Sequence, residues 1–118
     1  MTYIIAGATG TTGRAIATEL ARTDKVHLIG RDESALIELA DNLNSSYSLI
    51  NIENPIPVKE FQQTVEIDEI KGFVNCIGSI YLRPLHGSTI EDFNAVVNTN
   101  LFSSFYLLSA FARRMKNG

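Results

Sequence analysis

The chain has 118 residues, enough for one domain around one core, and its 45% hydrophobic and 19% charged residues make it globular rather than disordered. The formal net charge is −3, the pI is about 5.3 and no basic run occurs, which argues against nucleic acid or an anionic membrane as a partner. The single cysteine, Cys76, excludes an internal disulfide, and His27 and His86 stand apart from any metal-ligand spacing, so no metal is expected.

Tyr3 to Ala6 reads as a first buried strand, followed by a glycine-rich turn. A helix is expected from about Gly13 to Arg22, with Ile16, Ala17, Leu20 and Ala21 on one face. Val26 to Gly30 reads as the second strand, where His27 is a packed or edge residue. Asp32 is placed to cap the next helix, whose Leu36, Leu39, Ala40 and Leu43 repeat at helical spacing. Tyr47 to Ile52 is the expected third strand. Asn54-Pro55 and Pro57 then break the chain before a short amphipathic stripe of Val58, Phe61 and Val65. The acidic residues Glu66, Asp68 and Glu69 read as a solvated helix end.

Gly72 to Ile77 is continuously apolar, as a strand covered on both faces should be. A loop with Arg83-Pro84 and His86-Gly87 follows, and Ser88-x-x-Glu91 is a capping-box pattern opening a helix with Phe93, Val96 and Val97. A last helix, about Asn98 to Lys116, carries one stripe of Leu101, Phe105, Leu108 and Ala112 and an adjacent one of Phe102 and Tyr106. That arc is wider than a helix facing one neighbour requires. No repeat or linker divides residues 1–118, so a single domain is expected. Strand-like sequence starts directly after Met1, and the run Leu101 to Ala112 is too short to cross a bilayer. A soluble cytoplasmic protein is the expectation.

The turn Gly7-Ala8-Thr9-Gly10-Thr11-Thr12-Gly13 joins the first strand to the first helix. A helix start offers unpaired N–H groups and a positive dipole end, and glycines allow a diphosphate close approach to the backbone. Thr9, Thr11 and Thr12 add hydroxyls. The alternative is a tight turn with no ligand; its place between strand and helix favours a dinucleotide. Alternating strands and helices then imply an α/β fold, a partial three-layer Rossmann-type domain with helices on both faces. Right-handed crossovers order its four parallel strands 3-2-1-4. The fourth strand becomes an open apolar edge, and association into a homo-oligomer through that edge or the last helix is expected.

These residues resemble the short-chain dehydrogenase/reductase family, and the likeness runs along nearly the whole chain. Ala6 to Ala15 is similar to that family's cofactor loop, although Thr11 stands where the commonest branch has its middle glycine. The G-x-x-G-x-x-G spacing produced by Gly10 is that of the extended and atypical branches. Val74-Asn75-Cys76-Ile77-Gly78 is similar to the family's Asn-Asn-Ala-Gly strand end, with Cys76 replacing the second asparagine. Asn51-Ile52 falls where an adenine-contacting aspartate is usual, and a carboxamide can still accept that bond. Asn98-Thr99-Asn100-Leu101 matches the segment with the family's catalytic asparagine, which makes Asn100 its counterpart.

The resemblance implies binding of a nicotinamide dinucleotide. NAD sites place a carboxylate at the end of the second strand, where this chain has Gly30. Arg31 follows, and a guanidinium there suits the 2′-phosphate of NADP, so NADP is expected over NAD. Asp32 could serve NAD instead or cap its helix, and Arg31 could be a solvated charge. The family's serine and Tyr-x-x-x-Lys pair would lie beyond Gly118, and none of Tyr3, Tyr47, Tyr81 or Tyr106 has a lysine four residues on.

The expected function is therefore the NADP(H)-binding portion of a carbonyl/alcohol oxidoreductase, inactive as this chain alone. One alternative is a non-catalytic dinucleotide-binding or protein-interaction module. A second is the N-terminal part of an extended-type sugar-nucleotide-modifying enzyme. Cys76 reads as a small buried hydrophobe and His86 as a surface loop residue.

Overall fold

A computed structural model describes residues 2–51, 56–67, 69–79 and 82–115. β1 (Thr2–Ala6) leads through the glycine turn to α1 (Thr11–Leu20), followed by β2 (Lys25–Gly30), α2 (Glu33–Leu43) and β3 (Ser46–Leu49). α3 (Val58–Thr64) and β4 (Ile70–Asn75) come next, then α4 (Ile90–Val97), a π-helical turn (Asn98–Phe102) and α5 (Ser103–Phe111). The four strands form one parallel sheet in the order β3-β2-β1-β4. The expected fold and strand order are those observed.

Each face of the sheet has its own core. Ile5, Val26 and Leu28 pack with Ala17 of α1 and with Leu36 and Leu39 of α2. On the other face Ile4, Ala6 and Ile29 pack with Phe61 of α3 and with Tyr106, Leu107 and Phe111 of α5. Alternate residues of one strand thus enter different cores, which is why β1 and β2 carry apolar residues on both faces. Phe61 stands against both Tyr106 and Phe111 with ring centroids 5.8 Å apart. Arg114 fastens the far end of α5 by donating to the carbonyls of Gln62, Val65 and Ile67. These carbonyls lie in the last turn of α3 and just beyond it, where carbonyls have no partner within the helix.

Several sequence expectations need correction. α1 starts at Thr11 rather than near Gly13, β3 ends at Leu49, and β4 runs Ile70–Asn75, two residues early. The capping box is formed by Thr89 and Asp92, not Ser88 and Glu91: Asp92 N donates to Thr89 Oγ1 at 3.1 Å, and Thr89 N donates to Asp92 Oδ2 at 3.0 Å. Both pairs satisfy the same spacing, and the helix chose the register that leaves Val96 and Val97 half-buried.

The expected last helix continues directly from α4, so that Ile90–Arg114 is one helical run of 25 residues, long and apolar enough by composition to cross a membrane. Its inward side belongs to the core described above. Of its two apolar stripes, the one judged adjacent goes inside. Tyr106 is 3% exposed, while Leu101 and Phe105 are 67% and 69% exposed. The Tyr106 hydroxyl donates to the Ile56 carbonyl at 2.5 Å. Ile52, Asp68, Tyr81 and Lys116 lie outside the described residues.

Candidate dinucleotide site

A cavity of about 500 Å³ opens at the carboxyl ends of the strands. Open parallel sheets bind ligands at this end, where the first turn meets the crevice between diverging strands. The β1 turn contributes Gly7, Thr9 and Gly10, and the end of β2 contributes Gly30 and Arg31. Beyond β3 lie Ile50 and Asn51, and beyond β4 the loop of Cys76, Ile77, Gly78 and Ser79. A larger and more open hollow of about 720 Å³ lies at the opposite ends of the strands, among Asp24, Lys25, Glu66 and Glu69. It is lined by surface charges of both signs and by Ser45, whose buried hydroxyl has no hydrogen-bond partner among the described residues, and we assign it no ligand.

The turn has the shape its glycines dictate. Gly7 has φ +71°, and a Cβ there would stand 2.7 Å from the Cys76 backbone. A Cβ on Gly13 would come within 2.0 Å of the Gly7 carbonyl oxygen. These two residues are required by the fold itself. Gly10 is different: a Cβ there meets only the Gly7 oxygen, at 3.5 Å, an ordinary contact.

The helix starts divide in the same informative way. Asp32 caps α2, accepting from Ala35 N at 3.2 Å, as its sequence position suggested, and Thr89 and Asp92 cap α4. α1 has Gly10 at its N-cap position, so it has no side-chain cap, and no acidic residue stands in its first turn. Its first amides and positive dipole end are left for an external anion at the cavity's edge.

Of the residues nominated from sequence, the structure brings together Gly7, Thr9, Gly10, Arg31, Asn51, Cys76, Ile77 and Gly78 around this cavity. Thr11, Thr12 and Gly13 form the first turn of α1 behind it. Asn75 stands below the rim, donating to Ser104 Oγ at 2.8 Å and Ser103 Oγ at 3.3 Å, and accepting from Ile77 N at 3.0 Å. Burial raises the Cys76 thiol pKa, keeping the group a neutral wall residue.

Asn100, nominated as the catalytic counterpart, is engaged with protein backbone. Its Oδ1 accepts from Ser79 N at 2.9 Å, and its Nδ2 donates to the carbonyls of Ser79 at 3.0 Å and Val96 at 3.1 Å. It sits within the π-helical turn and holds the β4 loop. The sequence reading missed the wall built by Asp92, Ala95, Val96 and Thr99. Their spacing puts them on one face of a helix, a sign visible in the sequence but without indication of what that face meets.

The family model for short chain dehydrogenases matches residues 1–118, so this chain belongs to the short-chain dehydrogenase/reductase family. Senescence-associated protein 13 of Arabidopsis thaliana is 30% identical over 116 residues, covering 91% of this chain and 43% of the relative. Serine dehydrogenase from Escherichia coli is similar in structure with TM-score 0.85 at 26% identity, covering 96% of this chain and 55% of that one. A short chain dehydrogenase from Escherichia coli CFT073, solved with NADPH, shares the fold with TM-score 0.86 at 21% identity, over 96% of this chain and 52% of that one. The chain thus spans about half the length of the proteins it matches.

Proposed function

We propose that this chain is the NADP(H)-binding portion of an oxidoreductase acting on carbonyl and alcohol groups. The observation that carries the reading is the uncapped start of α1, opening beside a cavity that Arg31 also lines. A diphosphate accounts for the first feature and a 2′-phosphate for the second. The serine dehydrogenase solved with NADP+, 25% identical with TM-score 0.82, supports the choice of dinucleotide. At the end of β2, Gly30 has no carboxylate to hold the ribose hydroxyls of NAD, and Asp32 is occupied in capping α2.

Bound at this site, the dinucleotide would carry the hydride. The residues present would hold and orient it: Thr9 and Gly10 at the diphosphate, Arg31 at the 2′-phosphate and Asn51 at the adenine. No tyrosine of these 118 residues is followed four positions on by lysine, so we expect binding without turnover from this chain alone. The reading includes a cytoplasmic location and a homo-oligomer formed through the open β4 edge or the last helix.

Titration with NADPH and NADH tests it. NADPH should bind at least tenfold more tightly, and Arg31→Ala should abolish that preference, as expected for loss of a charge-assisted contact of roughly 1.5–3 kcal/mol. Equal affinities in the unaltered chain would refute the 2′-phosphate assignment, and binding of neither would refute the nucleotide reading. Carbonyl reduction by the purified chain with NADPH would refute the claim of inactivity.

A further inference from the structure

We propose that Ser79 binds a ribose hydroxyl of the dinucleotide's second nucleotide, the half without adenine; this rests on the dinucleotide reading above. The sheet order decides which half meets which strand. β3 and β2 bring Asn51 and Arg31 to one side of β1, and β4 brings Cys76 to Ser79 to the other. A diphosphate on the β1 turn, with its phosphorylated adenosine toward Arg31, must send its other sugar toward β4.

A ribose offers hydroxyls that donate and accept. On the β4 loop Ile77 is apolar, Gly78 has no side chain and Cys76 is a weak donor at best. Ser79 is exposed on the cavity wall, and its hydroxyl makes no hydrogen bond among the described residues.

The backbone that carries it is held at both ends. Asn100 grips the Ser79 N–H and C=O from the π-helical turn, and Asn75 accepts from Ile77 N. A side chain presented from such a clamp loses little freedom on binding. Both grips use main-chain atoms of the loop, so replacing the Ser79 side chain leaves them in place.

The test compares NADPH with adenosine 2′,5′-bisphosphate, which contains only the phosphorylated adenosine half. Ser79→Ala should weaken NADPH about fivefold to tenfold, the usual value of one neutral hydrogen bond, with bisphosphate affinity kept within about twofold. Ser79→Thr, which keeps the hydroxyl, should restore NADPH binding. An unchanged NADPH affinity in Ser79→Ala overturns the proposal, and so does an equal loss for both ligands, which marks a structural role. If the unaltered chain binds neither ligand, the dinucleotide reading falls and this one with it. Bisphosphate binding beside an indifferent Ser79→Ala overturns this one alone.

Discussion

β2 is buried at every position from Val26 to Gly30, whereas β4 is buried only at Ile70 and half-exposed over most of its remaining length. Both strands flank β1 and both mix apolar residues with two polar ones, so composition does not separate them. What differs is cover: β2 has β3 along its outer side, and β4 is the open edge of the sheet.

The helices repeat the contrast. α1 and α2 turn their apolar faces onto the sheet, while α4 and α5 also carry Ile90, Phe93, Leu101 and Phe105 outward, each at least 67% exposed. The cleft therefore has one wall on a closed core and one on elements with apolar surface still unpaired. That exposed stripe is the surface on which the proposed association rests. The difference teaches that apolar composition alone does not decide burial; cover by a neighbouring strand or helix does.

The largest effect expected separates the two faces of α5. Phe111→Ala should destabilise the fold by about 3–5 kcal/mol, the usual cost of emptying a buried aromatic position. Phe105→Ala should leave unfolding of the monomer nearly unchanged but shift the chain toward smaller species in sedimentation at tens of micromolar. If the two substitutions cost the same in urea unfolding, the assignment of inner and outer faces is wrong.

A second contrast lies between β2 and β3. His27 is buried, with its two ring nitrogens each 2.7 Å from a serine hydroxyl, Ser46 at Nδ1 and Ser48 at Nε2. Burial lowers its pKa from 6.5 to about 4, so the folded chain resists a proton that the unfolded chain accepts. Its contribution is complete above about pH 6.5 and is lost as pH falls toward 4, by up to about 3 kcal/mol. His27→Gln should flatten the stability–pH curve by that amount over this interval. Parallel curves for the two proteins would show that the ring is not held neutral.

The smallest effect sharpens the distinction among the turn glycines. Gly13→Ala forces a Cβ against the Gly7 carbonyl and should cost roughly 1–3 kcal/mol in thermal or urea unfolding. Gly10→Ala, with ordinary contacts, should alter stability by less than about 1 kcal/mol and act on nucleotide affinity instead. A Gly10 variant as unstable as the Gly13 variant would mean that the turn is shaped by Gly10 as well.

Much of the fold was legible because its rules are local. Short apolar runs alternating with helical stripes imply a parallel sheet, and the handedness of crossovers then leaves 3-2-1-4 as the strand order. The turn from Gly7 to Gly13 and Arg31 after β2 were legible for the same reason, since each follows directly on a strand end. Tertiary structure alone decided three other matters. It chose the Tyr106 stripe over the Phe105 stripe, because a helix with two apolar stripes has no inside until a sheet is laid against one of them. It chose Thr89 over Ser88 as the cap, because equal spacings are separated only by how the following residues pack. And it brought Val96 and Asn100 to the β4 loop, a meeting between a helix and a strand end whose distance in sequence says nothing of their distance in space.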